Sequence, residues 1–308
     1  QQPDKAHQHS EQGLCFAEQF SRAMELDPEF VFFAGWNEWT AIRIIDHNDF
    51  LKCGDRDLKE GDTYFWDLYN HEYSRDIEPL RGGFGDNYYY QMVANIRRFK
   101  GMPAADITAS APARIVIDGR FDDWADVKPE YRASRGNAIR RDSRGWGELY
   151  YRDSSARNDI VAAKVARDDK YLYFYVACAD TITPSDDRQW MRLYIDIDRD
   201  HETGWEGYDF VVNRISPDGK RAVVERSNGG WEWSRAGEAQ LRVENDRMEL
   251  RIPRAVLGLQ RGADFELEFK WADNTQHDGD IADFWISGDA APAGRFNYLY
   301  STLRQEHK

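Results

Sequence analysis

The run VFFAG ends abruptly at Trp36, Asn37, Glu38 and Trp39, which puts a carboxylate between two indoles. Desolvating a lone carboxylate costs several kcal/mol or more, on the order of a whole domain's net stability. Glu38 must therefore be hydrogen-bonded or used, and this stretch is the first candidate for chemistry. The second lies in IDIDRDHETG, where Asp196, Asp198 and Asp200 stand at i, i+2 and i+4, followed by Asp209. Carboxylates this close repel one another unless a cation or an arginine relieves them. Calcium takes roughly six to eight oxygens, which acids leaving a strand can supply together with loop carbonyls. The reading is a structural calcium on Asp196, Asp198, Asp200 and Asp209, with Arg199 as the competing source of relief. A weaker acidic group, Asp278, Asp280 and Asp283 in QHDGDIADF, reads as a polar loop.

The chain holds 11 Trp, 16 Tyr and 16 Phe, and aromatic faces stack on the C–H faces of sugars, so carbohydrate contact is the leading expectation. Zinc is disfavoured, because the seven histidines are scattered and no cysteine pair has ligand spacing. Met191 and Met248 lie in alternating strands and read as core, which argues against a haem. Cys178 alternates with apolar neighbours and reads as core, and three cysteines are too few for a disulfide framework.

Two kinds of element must hold these residues. Phe16, Phe20 and Met24 recur at a spacing of four, so residues 12–24 read as an amphipathic helix, followed by a short apolar strand from Phe30 to Gly35 of the kind buried in a parallel sheet. Asp86 is a plausible N-cap for a helix in which Tyr89, Val93 and Ile96 share a face and Gly101 marks the stop. Helix, strand, long loop and helix make about one and a half units of a β/α repeat. Residues 102–112 have linker composition. Beyond them the period changes to two. In YLYFYVAC, Leu172, Phe174, Val176 and Cys178 face one side and Tyr171, Tyr173 and Tyr175 the other; with ARIVIDG and five further alternating segments, this predicts an antiparallel β-sandwich over residues 113–303. PRAVLGL reads as one helical turn.

A chain of 308 residues accommodates two such modules. A formal charge of -14 argues against a nucleic-acid partner, and no apolar stretch reaches the roughly 20 residues that span a bilayer. The polar opening QQPDKAHQHSEQG leads straight into a helix without a signal peptide, which suggests a chain cut from something longer.

The strand VFFAGWNEW, its acid-bearing loop and the YYYQMVANIRRF helix resemble the last β/α unit of the barrel in glycoside hydrolase family 99 and its uncharacterised relatives. That resemblance covers residues 10–101 and implies a (β/α) barrel with its site at the C-terminal ends of the strands. It implies cleavage of a glycosidic bond by paired carboxylates, with Glu38 catalytic and Trp36, Asn37 and Trp39 as sugar contacts. The family's second acid falls at Ala41, so its partner would be Asp46, Asp76 or Glu78, or would come from the rest of the barrel upstream. The segments IVIDGRFDDWADV, DDKYLYFYV, IDIDRDHETGWEGYDF and FKWADN resemble carbohydrate-binding module family 9. That implies an aromatic clamp on a polysaccharide or oligosaccharide, for which Trp205, Trp231 and Trp233 are the candidates, while Trp271 and Trp285 fit the core. The two resemblances together imply a secreted carbohydrate-active protein: a partial β/α fragment followed by a glycan-binding sandwich.

Overall fold

The computed structural model describes residues 12–37, 43–45, 52–53, 56–57, 59–65, 76–79, 85–101, 108–145, 150–294 and 296–303. Residues 1–105 and 106–308 form two compact units. In the first, α1 (Leu14–Leu26) buries Phe20, whose ring stacks on Phe33 at 5.7 Å, while Phe16 lies 6.1 Å from the same ring. The helix starts at Gly13, with φ 62°, where an added Cβ would meet the Gln91 side chain at 2.3 Å. The strands β1 (Arg43–Ile45), β2 (Lys52–Cys53), β3 (Arg56–Asp57) and β4 (Thr63–Phe65) form two antiparallel pairs, β1 with β4 and β2 with β3.

The second helix, α2 (Asn87–Phe99), follows Asp86, whose side chain makes no capping hydrogen bond, and is stopped two residues on by Gly101 at φ 62°, the stop its sequence signals predict. Its buried residues are Tyr88 and Asn95, one position back from the expected face, because Tyr88 turns toward Phe16. The segment Phe30–Gly35 departs from expectation. It belongs to no sheet, and Phe30 and Phe32 are 78% and 83% exposed. An apolar run becomes a buried strand only where neighbouring strands supply backbone partners, and among the described residues of this unit there is no parallel pairing. Cys15 is free.

The second unit is antiparallel. Its strands are β5 (Glu130–Arg132), β6 (Arg141–Arg144), β7 (Tyr150–Asp153), β8 (Ile160–Arg167), β9 (Tyr171–Cys178), β10 (Arg192–Asp196), β11 (Phe210–Val212), β12 (Arg221–Ser227), β13 (Trp233–Glu244), β14 (Arg247–Pro253), β15 (Glu266–Asp273), β16 (Asp289–Ala291) and β17 (Tyr298–Ser301). Apart from the β6–β7 pair, they join in the order β16-β15-β10-β11-β12-β13-β14-β9-β8-β5, with β17 on β15. The expected two-sheet sandwich is thus one continuous hydrogen-bonded path curled on itself, with a register shift between Val224 and Glu225 where β12 meets β13. Its ends meet where Ile160 N–H donates to Asp289 at 2.7 Å and Tyr131 O–H donates to the Leu299 carbonyl at 2.6 Å.

Alternation places the core. Leu172, Phe174, Val176 and Cys178 pack inside with Leu193, Ile195, Met191, Met248, Phe269 and Trp271, and Phe174 faces Phe269 across the interior at 5.8 Å. On the other face of β9, Tyr173 and Tyr175 are covered by Ile115, Ile117 and Trp124. That covering segment was expected as a strand, but it carries no ladder and is pinned by side chains instead. Buried Glu249 accepts the Trp124 indole N–H and the Gly119 N–H, both at 2.9 Å. Glu249→Leu strands both donors and is expected to destabilise the unit by roughly 2–4 kcal/mol. Urea denaturation reads this directly, and an unchanged midpoint would rule out the clamp. PRAVLGL forms a single 3-10 turn, Arg254–Leu257, as its sequence suggests. Among the described residues no helix is long and apolar enough to cross a membrane.

Candidate functional site

One strand sets up both candidate sites of the second unit. Leu193 and Ile195 of β10 point into the core, so Arg192, Tyr194 and Asp196 point to the opposite face. Tyr194 is the hub of an aromatic cluster there, with ring centroids 5.3 Å from Tyr208 and Phe284 and 5.6 Å from Trp205. Trp231 stands edge-on to Trp205 at 4.4 Å and to Trp233 at 5.5 Å. Trp205 is 5% exposed, so its ring supports Trp231 from below and does not face solvent. Trp231 and Trp233 are half-buried and form the outer layer.

The rim is polar. Arg192 lies 5.8 Å from the Trp231 ring and donates to Asp278 at 2.6 Å, while its Nε finds no protein acceptor. His277 and Asp278 are 63% and 40% exposed. The loop that carries them must come close to Trp231: at Gly279, with φ 85°, an added Cβ would sit 3.1 Å from the Trp231 Cβ. About 10 Å³ of free space remains among these residues, enough for roughly one water. A ligand would therefore meet this cluster from outside, across Trp231, Trp233 and the rim. Arg192 was not singled out from the sequence. Its signal was an arginine in an otherwise apolar strand, WMRLYI.

Beneath the cluster, fully buried Lys270 donates to the carbonyls of Pro292, Gly294 and Phe296 at 2.6, 2.8 and 2.5 Å, with its ammonium 5.1 Å from the Phe284 ring. Tyr208 O–H donates to Asn297 at 2.6 Å, tying the same loop to the aromatic floor.

The acidic candidates separate. One carboxylate oxygen from each of Asp196, Asp198 and Asp209 lies within 4.8 Å of the others, and Asp196, His201 and Glu268 form a second such group. Asp200 belongs to neither; its carboxylate accepts the Glu202 N–H at 3.0 Å. Asp196 is fully buried, and among the described residues its Oδ2 has no hydrogen-bond partner, the nearest cationic group being His201 Nδ1 at 3.9 Å. Burial pushes its pKa up to about 7, against the lowering effect of the Arg199 N–H at 2.6 Å. The Arg199 guanidinium turns away to Glu266 at 2.5 Å and Glu268 at 3.6 Å, so it does not relieve the aspartates. An orphaned buried carboxylate oxygen facing two more acids fits a hard divalent cation.

Asp278, Asp280 and Asp283 are spent on structure. Buried Asp283 accepts from Ser287 Oγ at 2.6 Å and from the backbone of Gln276 and His277, Asp280 accepts the Ala282 N–H at 3.0 Å, and Asp278 pairs with Arg192. Trp271 is core, as read from its alternation; Trp285, read the same way, is 37% exposed, because DFW lies on a short helix, α3 (Asp283–Ile286), whose buried residues are Asp283, Phe284 and Ile286.

Of the first-unit candidates, Glu38 and Trp39 lie outside the described residues. Trp36 is 45% exposed and edge-on to Tyr89 at 6.0 Å. Its carbonyl accepts the N–H of Ile77 at 3.2 Å and of Glu78 at 2.9 Å, which fastens a candidate acid's backbone beside the Trp36–Asn37 turn. Asn37 is half-exposed.

No family model matches the chain, and no curated protein matches it. Among solved structures, similarity is found to a carbohydrate binding module family 9 protein from Caldicellulosiruptor kristjanssonii in complex with glucose, with a TM-score of 0.34 and 15% identity over 64% of this chain and 96% of that one.

Proposed function

We propose that the second unit is a glycan-binding module whose contact surface is the ledge made by Trp231 and Trp233 with the His277–Asp280 rim. The observation that supports this most is the layering: two half-buried indoles rest on a buried aromatic floor, beside an Arg–Asp pair and an exposed histidine. Indole faces take the C–H side of a sugar, and the rim groups take its hydroxyls. Arg192 Nε and Trp233 Nε1 are buried beside the ledge and lack acceptors among the described residues. Trp205 then serves as support. A glycan-array screen of the intact chain tests the reading: one or more saccharides should be retained by the wild type and lost by the Trp231→Ala, Trp233→Ala double variant. Retention unchanged in that variant would reject the ledge.

In the same reading, Asp196, Asp198 and Asp209 hold a calcium ion that cross-links the start and end of the loop between β10 and β11. Calcium at about a hundredfold above its dissociation constant should add roughly 2.7 kcal/mol, or several degrees in Tm for a unit of this size. A chelator should remove the gain, and Asp196→Asn should abolish it. A wild-type Tm indifferent to both calcium and chelator would exclude the site.

The first unit is proposed to be the closing β/α unit of a glycosidase-like barrel, with Glu38 as its acid, in a secreted protein. Exposed Phe30 and Phe32 support this, since they form the kind of apolar edge that further strands and helices would cover. A non-catalytic docking role is the second reading, favoured by Ala41 where the family's other acid would stand.

A further inference from the structure

A second surface on the β-unit has the opposite character to the chain as a whole. Arg221 of β12, Gln240 of β13, Arg251 of β14 and Tyr173 of β9 are in register across four strands. They therefore share one face of the sheet, with Arg221 and Arg251 two strand spacings, about 10 Å, apart. A groove of about 400 Å³ runs over this row, lined also by Lys220, Arg242, Tyr171 and Pro253. Tyr171 and Pro253 also line a neighbouring groove of about 280 Å³, and Lys170 and Arg261 carry that one into a third of about 310 Å³ beside Arg114. The three depressions share lining residues and so form a track, and although Glu238, Asp168 and Asp169 also border it, cations outnumber acids there on a protein of formal charge -14.

Arg221 is paired with Glu238, and Arg114 lies in the field of Asp168, but Arg251, Arg242 and Lys220 make no salt bridge among the described residues. Arg251 lies over the Tyr171 ring at 4.6 Å and makes no ion pair among the described residues. That stacking fixes the guanidinium plane and leaves its N–H edges for a ligand. Arg242 stands opposite Glu249, but that carboxylate is committed to Trp124 and Gly119, and among the described residues the arginine donates only to the neighbouring Leu241 carbonyl, at 3.0 Å. The Lys220 ammonium makes no salt bridge among the described residues; the backbone N–H groups of Lys220 and Arg221 hydrogen-bond the Asp218 carboxylate in the same turn and lower its pKa, and the lysine's charge adds to that lowering. Glu238, the acid within the first groove, is already met by Arg221 at 3.4 Å and by Arg235.

We propose that this track binds an anionic polysaccharide, gripping carboxylate or sulfate groups through Arg251, Arg242 and Lys220. A planar fork suits a carboxylate or a sulfate face, and a linear track suits a chain that repeats its charge. A neutral glycan is a poor fit, because the Tyr171 ring is already covered by Arg251. Single-stranded nucleic acid is disfavoured for the same reason, since it needs open aromatic platforms for its bases, and because the remaining surface is acidic.

The test titrates the full chain with polygalacturonate, a sulfated galactan and a neutral glucan, at low and at raised salt. Wild type should bind one of the two anionic polymers, weakening as salt rises, and which one is preferred identifies the anion. Arg242→Gln with Arg251→Gln should weaken that binding about tenfold or more, and Arg251→Lys should fall between. An unaltered thermal midpoint in these variants keeps folding out of the comparison. The proposal is overturned if neither polymer binds at low salt, if the double glutamine variant binds as wild type does, or if single-stranded DNA outcompetes both polymers. Because the neutral-sugar ledge is probed by Trp231→Ala alone, its failure and the failure of this track are separately visible.

Discussion

Lys270→Ala is expected to be among the most destabilising single substitutions in the β-unit, at about 3–5 kcal/mol. The Lys270 side chain is sealed inside the unit, and its ammonium gives its hydrogen bonds to the carbonyls of Pro292, Gly294 and Phe296. Removing it leaves those acceptors without a donor and opens a void beneath Phe284. Lys270→Met keeps the stem and fills the void, so it should cost less while still losing the carbonyl contacts. Because the anchored loop also carries Asn297, which accepts from Tyr208, loosening it should reach the aromatic floor. Urea denaturation of both variants would check this, and a loss under about 1 kcal/mol for the alanine variant would show that the loop holds itself.

Trp231→Ala carries the largest expected effect on binding. Its ring rests on Trp205, is flanked by Trp233 and has Arg192 beside it, the arrangement in which one buried anchor dominates a contact surface. Truncation removes the upper layer and uncovers Trp205, for an expected loss of about 2 kcal/mol or more, roughly a thirtyfold weaker complex. Trp231→Phe keeps an aromatic face and should recover part of the affinity. Trp233→Ala should cost less, because Trp233 packs at the margin of the cluster, edge-on to Trp231, while Trp231 lies directly on Trp205.

Period-two patterning was enough to read the β-unit: the two faces of YLYFYVAC, the single turn at PRAVLGL and the core positions of Met191, Met248 and Trp271 all follow from alternation. Patterning failed where tertiary partners decide. ARIVIDG alternates like a strand yet is held by Glu249, a residue 130 positions from Gly119. VFFAG is apolar like a buried strand yet finds no ladder among the described residues. At the site, the spacing of Asp196, Asp198 and Asp209 was legible, whereas Asp200 turned to cap its own loop. Arg192, Lys270 and His277 were not legible, because their importance depends on which strand or loop lies across from them and no local motif encodes that.

In the proposed function, saccharide is held on the Trp231–Trp233 ledge. This is tested most directly by following indole fluorescence while titrating the best array-identified neutral oligosaccharide into wild type, Trp231→Ala and Trp231→Phe. A saturable change is expected in wild type, a partial one in the phenylalanine variant and none in the alanine variant at the same concentrations. Equal affinity in all three would contradict it.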